Sequence, residues 1–137
     1  MNIKSMNFDY GTDDSKIFKR INISFSPGEL SLICGPTGSG KSTLLKIING
    51  LIPTFSSGNV SGVVEIDGLN TNNLLPHELA RLVGYVNQQP ESFFVSETVL
   101  EEVVFGMEQL GFSREEMEAR AQHIARSEER RVGKECL

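Results

Sequence analysis

Apolar residues in the first part of the chain recur in short runs that predict β-strands. Residues 3–8 alternate loosely between apolar and polar positions, and residues 18–25 alternate with a period of two from Ile21 onward. Residues 63–66 predict another strand, and the Asp-Gly pair that follows it is typical of a turn. The alternation at residues 3–8 and 18–25 indicates strands.

Two other runs, residues 30–34 and 82–86, are apolar without alternation. Continuous apolar runs of this length are typical of strands that are buried on both faces, as in a parallel sheet. Cys34 ends the first run and forms no metal-ligand pattern with the other cysteine or either histidine. We therefore expect Cys34 to be a small buried core residue rather than a redox group.

Four segments predict helices, the shortest of them at residues 76–81. Residues 42–49 carry four Leu and Ile side chains at helical spacing and end before a glycine. Two later helices begin at capping boxes, in which a hydroxyl residue precedes a glutamate by three positions. These pairs are Thr98 with Glu101, and Ser113 with Glu116. Strands that alternate with helices indicate an α/β protein.

Composition narrows the class of protein. The chain has 137 residues, enough for one domain, and a net charge of −5. Nucleic-acid binding depends on Lys and Arg, so an acidic chain gives no reason to expect it. No apolar run approaches the roughly 20 residues that a membrane-spanning helix requires, and no signal peptide is visible. We expect a cytoplasmic protein, with docking to a membrane partner left open.

The strongest motif in the chain lies between the predicted strand at residues 30–34 and the predicted helix at residues 42–49. It fits the pattern G-x-x-x-x-G-K-[ST] in full. Its members are Gly35, Pro36, Thr37, Gly38, Ser39, Gly40, Lys41 and Ser42. A buried strand before this motif and an apolar helix after it are the context of a phosphate-binding loop. A glycine-rich turn that binds nothing is the weaker alternative.

The motif predicts ATP and Mg²⁺ as ligands. Its glycines allow backbone N–H groups to approach phosphate oxygens, and the following helix adds its positive N-terminal dipole. Lys41 would reach the β- and γ-phosphates, and the Ser42 hydroxyl would ligate Mg²⁺. Thr43 is a weaker candidate for contact with the α-phosphate region.

The residues around this loop resemble those of ABC transporter ATPases, and the resemblance extends over residues 1 to about 125. The most similar group is that of the energy-coupling-factor (cobalt and vitamin importer) ATPases. The segments that carry the resemblance are Glu29–Gly50, Val83–Pro90, Thr98–Gly106 and Leu110–Met117, together with Tyr10. The resemblance implies an α/β fold with a P-loop NTPase core and an N-terminal antiparallel β subdomain.

Two further roles follow from this resemblance. Tyr10 corresponds to the aromatic residue that stacks on adenine, although it could also be an ordinary surface aromatic. Gln88 corresponds to the Q-loop glutamine, which contacts Mg²⁺ or the attacking water and couples the site to the transmembrane partner. The alternative for Gln88 is a solvated loop amide, and the adjacent Gln89 leaves the register open. Asn87 stands where the family commonly has an aromatic residue.

Three parts that the family uses for hydrolysis do not occur in this sequence: the L-S-G-G-Q signature, the Asp-Glu end of the Walker B strand, and the switch histidine. The chain therefore looks truncated before the signature, and hydrolysis is expected only of the intact protein. The resemblance implies a transmembrane transporter subunit and a second ATPase subunit as partners, at the cytoplasmic face of the membrane. It does not identify the transported substrate or distinguish a homodimer from a heterodimer.

Two other functions stay open. One is a nucleotide-binding fragment without catalysis, and the other is a different P-loop enzyme such as a kinase. A kinase would carry a substrate lid and further arginines, whereas this sequence carries Tyr10 and the Gln88 loop.

The apolar residues Phe93, Phe94 and Val95 follow the predicted Q-loop. An exposed apolar patch here would suit docking of a membrane subunit. The alternative is that these side chains fold back on the core, and the sequence does not separate the two.

The end of the chain departs from the family pattern. Residues 126–136 read R-S-E-E-R-R-V-G-K-E-C, which equals a translation of a common sequencing adapter. We therefore expect a partial nucleotide-binding domain at residues 1–125 and an artefactual tail at residues 126–137. A natural charged helix is the alternative, since Glu and Arg favour helices.

Overall fold

The computed structural model describes residues 1–11 and 17–132, with side chains up to Arg126 in the final helix. It divides into two compact units, Met1–Tyr85 and Val86–Leu137.

The first unit is built on a four-stranded antiparallel sheet with the order β2-β1-β3-β4. The strands are β1 (Asn2–Asp9), β2 (Phe18–Ser24), β3 (Asn59–Ile66) and β4 (Leu69–Asn70). Its helices are α1 (Lys41–Ile48), α2 (Leu51–Thr54) and α3 (Pro76–Leu79). The antiparallel β subdomain and the helix after the phosphate-binding motif are thus confirmed.

A bulge in β1 explains why its alternation is loose. Ile3, Met6 and Phe8 are all buried, although Ile3 and Met6 are an odd number of positions apart. Between them Ser5 takes a left-handed φ of 49°, and the register with β2 shifts at this point. One extra residue in a strand moves the following side chains to the other face of the sheet. The bulge therefore keeps all three apolar side chains on the core side.

The core of the first unit lies between one face of this sheet and α1. Its buried side chains come from the sheet, from α1, and from Ile52 and Leu79 in the shorter helices. The sheet contributes Ile3, Met6, Phe8, Phe18, Val64 and Ile66, and α1 contributes Leu44, Ile47 and Ile48. The spacing of the α1 residues places them on one side of the helix, so α1 packs with a continuous apolar stripe on the strands. This packing fixes the helix that begins at the phosphate-binding motif.

The two strands predicted at residues 30–34 and 82–86 are wrong. Neither segment is a strand in the structure, and Leu30, Leu32 and Val86 are 101%, 86% and 80% exposed. A strand forms only where a neighbour satisfies its backbone N–H and C=O groups. In the described part of the chain the sheet contains only β1–β4, so these segments pair with no strand there.

The second unit consists mainly of α4 (Val99–Gln109) and α5 (Arg114–Val132), preceded by a 3₁₀ turn at Pro90–Phe93. Both capping boxes are confirmed. Thr98 accepts a hydrogen bond from the Glu101 N–H at 3.2 Å, and the Glu101 carboxylate accepts one from the Thr98 N–H at 3.1 Å. Ser113 and Glu116 exchange the same pair of bonds at 3.3 and 3.0 Å. These bonds satisfy N–H groups that a helix start leaves without a partner.

Gly62 generates a prediction about stability. Its φ is 100°, and a Cβ there would lie 2.6 Å from the Ser5 carbonyl oxygen and 2.7 Å from the Met6 Cα. We expect Gly62→Ala to lower the free energy of unfolding by about 2–4 kcal/mol, because backbone atoms must move and the φ is strained. Urea unfolding measures the change.

The matched control for this experiment is Gly84→Ala. Gly84 lies in the same unit, and no atom lies within 4 Å of the position that a Cβ would take there. Equal unfolding free energies for the two variants would show that the close approach at Gly62 does not constrain the sheet.

Candidate nucleotide-binding site

The phosphate-binding motif folds as a tight loop that leads directly into α1. Gly38 and Gly40 take left-handed φ angles of 81° and 91°, which glycine adopts at little cost. The Ser39 N–H donates to the Pro36 carbonyl oxygen at 3.2 Å and closes the turn. The Leu44 N–H then donates to the Gly40 carbonyl oxygen at 2.8 Å and starts the helix. Backbone N–H groups at such a helix start favour an anion.

Gly40 is the point where the sheet supports this loop. A Cβ at Gly40 would lie 2.8 Å from Ile17 Cγ2 and 2.9 Å from the ring of Phe18. Phe18 is the buried first residue of β2, and Ile17 directly precedes it. A larger residue at position 40 would therefore push the loop away from the sheet in addition to straining its φ.

The Lys41 ammonium lies against the backbone of the loop. Nζ donates to the carbonyl oxygens of Gly35 and Pro36, both at 2.8 Å, and lies 3.4 Å from Ser39 Oγ. No carboxylate in the described part of the chain forms a salt bridge with Lys41. The positive charge is thus held inside the curve of the loop, where the oxygens of a bound phosphate would meet it.

Tyr10 lies beside the start of α1, as a role in nucleotide binding requires. Its hydroxyl shares a hydrogen bond of 3.1 Å with the Thr43 hydroxyl. Thr43 is buried, whereas the Tyr10 side chain is 46% exposed. The Tyr10 ring also meets the ring of Phe8 edge to face, at 4.7 Å between centroids. The structure therefore brings Tyr10 together with the phosphate-binding loop.

Ser42 is exposed at the start of α1, next to Lys41. No group of three His, Cys, Asp or Glu side chains that would hold a metal ion occurs among the described residues. A site with one hydroxyl ligand suits Mg²⁺, which keeps several waters and uses the phosphates of its nucleotide as ligands. The donor set therefore fits Mg²⁺ delivered with a nucleotide.

Gln88 belongs to the second unit and is exposed in the segment before the 3₁₀ turn. The adjacent Gln89 uses its carbonyl oxygen to accept a hydrogen bond of 2.7 Å from Ser92 Oγ. The role of Gln88 at Mg²⁺ or the attacking water stays a prediction.

Cys34 is exposed, so the prediction of a buried core residue is wrong. Its exposure has the same cause as that of Leu32, because both belong to a segment that pairs with no strand of the described sheet.

Phe93, Phe94 and Val95 form an apolar patch on the second unit, with side chains 60%, 64% and 66% exposed. Glu102 on α4 holds the end of this loop, since its carboxylate accepts hydrogen bonds from the N–H groups of Val95 and Ser96, both at 3.0 Å. These bonds stabilise the ionised form and lower the pKa of Glu102 below its ordinary value of 4.5. The patch is thus exposed on an anchored loop of the second unit.

Three of these supporting residues leave no signal in the sequence. Glu102 carries no capping pattern with Val95 or Ser96, and its role depends on the path of the loop. Thr43 as the partner of Tyr10 and Phe18 as the neighbour of Gly40 depend on contacts between distant segments. Such contacts become visible only when β1 and β2 are placed against α1.

Comparison with known proteins is consistent with this geometry. Residues 18–134 match the sequence profile of the family described as "ABC transporter". The chain belongs to the ABC transporter family. The matched range includes most of the segment that resembles a translated adapter.

Three curated relatives show the extent of the similarity, and all are provisionally named ABC transporter ATP-binding proteins. A Pyrococcus abyssi protein is 44% identical over 115 residues, which are 84% of this chain and 41% of the relative. A Methanosarcina acetivorans protein is 40% identical over 124 residues, which are 90% of this chain and 19% of the relative. A Clostridium perfringens protein is 37% identical over 123 residues, which are 90% of this chain and 22% of the relative. The chain therefore spans about two-fifths or less of each relative's length.

None of the helices in the described part of the chain is both long and apolar enough to cross a membrane.

The anchored loop generates a prediction about pH. Because the folded-state pKa of Glu102 is lowered, the stabilisation is present above the ordinary value of 4.5 and is lost as pH falls through the lower folded-state pKa. We expect amide-exchange protection of Val95 and Ser96, corrected for intrinsic rates, to fall in this acid range. Glu102→Ala should show the low protection already at pH 7, and Glu97→Ala serves as the control. Protection that is independent of both pH and Glu102 would contradict the anchor.

Proposed function

We propose that this chain binds ATP with Mg²⁺ through the loop Gly35–Ser42 and that Tyr10 contacts the base. The observation that carries the proposal is the convergence of three groups at the start of α1. A left-handed glycine loop opens the helix, the Lys41 ammonium lies inside that loop, and an exposed tyrosine is joined to the helix by a hydrogen bond. Membership of the ABC transporter family supports the same ligand.

Each residue has one role in this proposal. Lys41 neutralises the β- and γ-phosphates, Ser42 ligates Mg²⁺, and Thr43 contacts the α-phosphate region. The Tyr10 ring stacks on adenine, for which its half-exposed surface leaves room. Gln88 contacts Mg²⁺ or the attacking water. Bound Mg²⁺ would neutralise phosphate charge during phosphoryl transfer.

In the intact protein this site would hydrolyse ATP and drive transport. Phosphoryl transfer depends on charges that are positioned around the phosphates. This sequence contains the P-loop lysine but neither the L-S-G-G-Q signature nor the carboxylates of the Walker B strand. The 137-residue chain is accordingly proposed to bind nucleotide without turning it over. A kinase is disfavoured, because the family match covers the P-loop and the segment around Gln88 alike.

The proposed partners are a transmembrane transporter subunit and a second ATPase subunit, at the cytoplasmic face of the membrane. The patch of Phe93, Phe94 and Val95 supports the first partner, since it is apolar, exposed and anchored by Glu102.

The proposal of an energy-coupling-factor importer depends on the resemblance around the P-loop and Gln88. Uptake of substrate by vesicles that contain the intact protein and its membrane subunit tests the direction of transport, and export would exclude an importer.

The segment 126–137 is proposed to be an adapter-derived tail. The eleven-residue identity at positions 126–136 supports this origin, whereas the family match to residue 134 favours a natural segment. Long-read sequencing of the source locus across codon 126 distinguishes an adapter-derived tail from a natural segment. A locus that continues into L-S-G-G-Q supports the tail, and one that encodes residues 126–137 contradicts it.

Lys41→Ala tests the nucleotide site. We expect it to weaken ATP binding by at least about 100-fold, because it removes the charge held inside the loop and leaves phosphate without its cationic partner. Isothermal titration calorimetry of the chain with Mg²⁺ and ATP measures the affinity.

Lys46→Ala is the matched control, since Lys46 lies in the last turn of the same helix. The two substitutions remove the same charge and leave alanine, a good helix former. Equal affinity in both variants would exclude the loop as the nucleotide site.

Phe93→Ser with Phe94→Ser tests the docking surface in the intact protein. We expect the double variant to leave the membrane fraction while its ATP affinity stays within about twofold, because a lost apolar patch weakens only the partner contact. Sedimentation of membranes followed by quantification of the protein measures the association. Unchanged membrane association would contradict docking through this patch.

A further inference from the structure

The hydrogen bond between Tyr10 and Thr43 joins two segments that otherwise belong to different parts of the first unit. Tyr10 follows β1 by one residue, and Thr43 is the third residue of α1. The two hydroxyl oxygens are 3.1 Å apart. We propose that Thr43 is a positioning residue that fixes the Tyr10 ring for the adenine base, so that base recognition and phosphate binding share one helix turn. This inference rests on the proposed binding of ATP.

The backbone on both sides of Tyr10 is already restrained. Asp9 Oδ1 accepts a hydrogen bond from the Gly11 N–H at 3.0 Å and another from Asn59 Nδ2 at 2.8 Å. Asp9 is also paired with Asn59 in the ladder between β1 and β3. Asp9, which is paired with Asn59 in the sheet, thus restrains the backbone immediately before Tyr10. Through its bond to the Gly11 N–H it also restrains the backbone immediately after Tyr10.

The Tyr10 ring is restrained by a second contact, with Phe8. The two rings meet at an interplanar angle of 82°, and Phe8 is completely buried. Phe8 has little freedom to move, since a Cβ on Gly58 would lie only 2.4 Å from its ring. The Tyr10 ring therefore packs against the buried ring of Phe8. The hydrogen bond from the Tyr10 hydroxyl to Thr43 then fixes the remaining orientation of the Tyr10 ring.

Stacking depends on this orientation. Aromatic groups interact favourably only in particular arrangements, so a ring that is fixed before the ligand arrives loses less freedom on binding. The Thr43 hydroxyl accepts and donates, so it can accept from Tyr10 while donating to a phosphate oxygen. A single hydroxyl then links the proposed base contact to the proposed phosphate contact.

Tyr10→Phe removes the hydroxyl and retains the ring, and Thr43→Val removes the other hydroxyl with little change of volume. We expect each variant to lower the ratio of ATP affinity to tripolyphosphate affinity by about three- to tenfold, the value of one hydrogen bond. The double variant should lose no more than either single variant, because both remove the same bond. Calorimetry of the 137-residue chain with each probe and Mg²⁺ measures the ratio.

Two further variants separate this inference from the proposed function. Tyr10→Leu removes the ring itself and should lower the ratio of ATP affinity to tripolyphosphate affinity further than Tyr10→Phe does. Thr43→Ser keeps a hydroxyl and should leave this ratio at the value of the unmutated chain. If Tyr10→Leu has an effect and Tyr10→Phe has none, the ring binds the base and the positioning role is wrong. Additive losses in the double variant also overturn it. If the unmutated chain and Lys41→Ala bind ATP equally, the proposed function fails and this inference fails with it.

Discussion

The close packing of Gly40 on the start of β2 is the contact on which the rest of the first unit depends. Because position 40 has no side chain, Ile17 and Phe18 approach the backbone of the loop more closely than a Cβ would allow. Phe18 in turn lies 6.2 Å from Phe8, and Phe8 lies 4.7 Å from Tyr10, between ring centroids. A continuous row of rings thus connects the loop to the proposed base contact. The antiparallel sheet therefore sets the position of the candidate site as well as supporting it.

Features that depend on short-range chemistry could be predicted from the sequence. The phosphate-binding motif, the helix that follows it and both capping boxes are each specified within about four to eight residues. The bulges in β1 and β2 could not be predicted, because Ser5 and Arg20 take left-handed φ angles of 49° and 51° without being glycine. Their only trace in the sequence is a break in the alternation, which a loop would also produce.

The two wrong strands show where this reasoning stops. An apolar run states a preference for burial, but a strand also requires a neighbour that pairs with its backbone, and that neighbour is specified elsewhere. Residues 30–34 and 82–86 satisfy the first condition without the second in the described sheet. The exposure of Cys34 has the same origin. Alternation correctly predicted β1 and β2, and the short apolar run at residues 63–66 correctly predicted the end of β3.

The first turn of α1 explains how one short segment serves two parts of the candidate site. Successive residues on a helix point about 100° apart, so Lys41, Ser42 and Thr43 leave the first turn in different directions. Lys41 reaches back to the carbonyl oxygens of the loop, Ser42 is exposed, and Thr43 is buried at the Tyr10 hydroxyl. A phosphate would compete well for Lys41, because its negative charge attracts the ammonium in addition to accepting its hydrogen bonds, whereas a neutral carbonyl oxygen only accepts them. The division of roles among three consecutive residues thus follows from helix geometry.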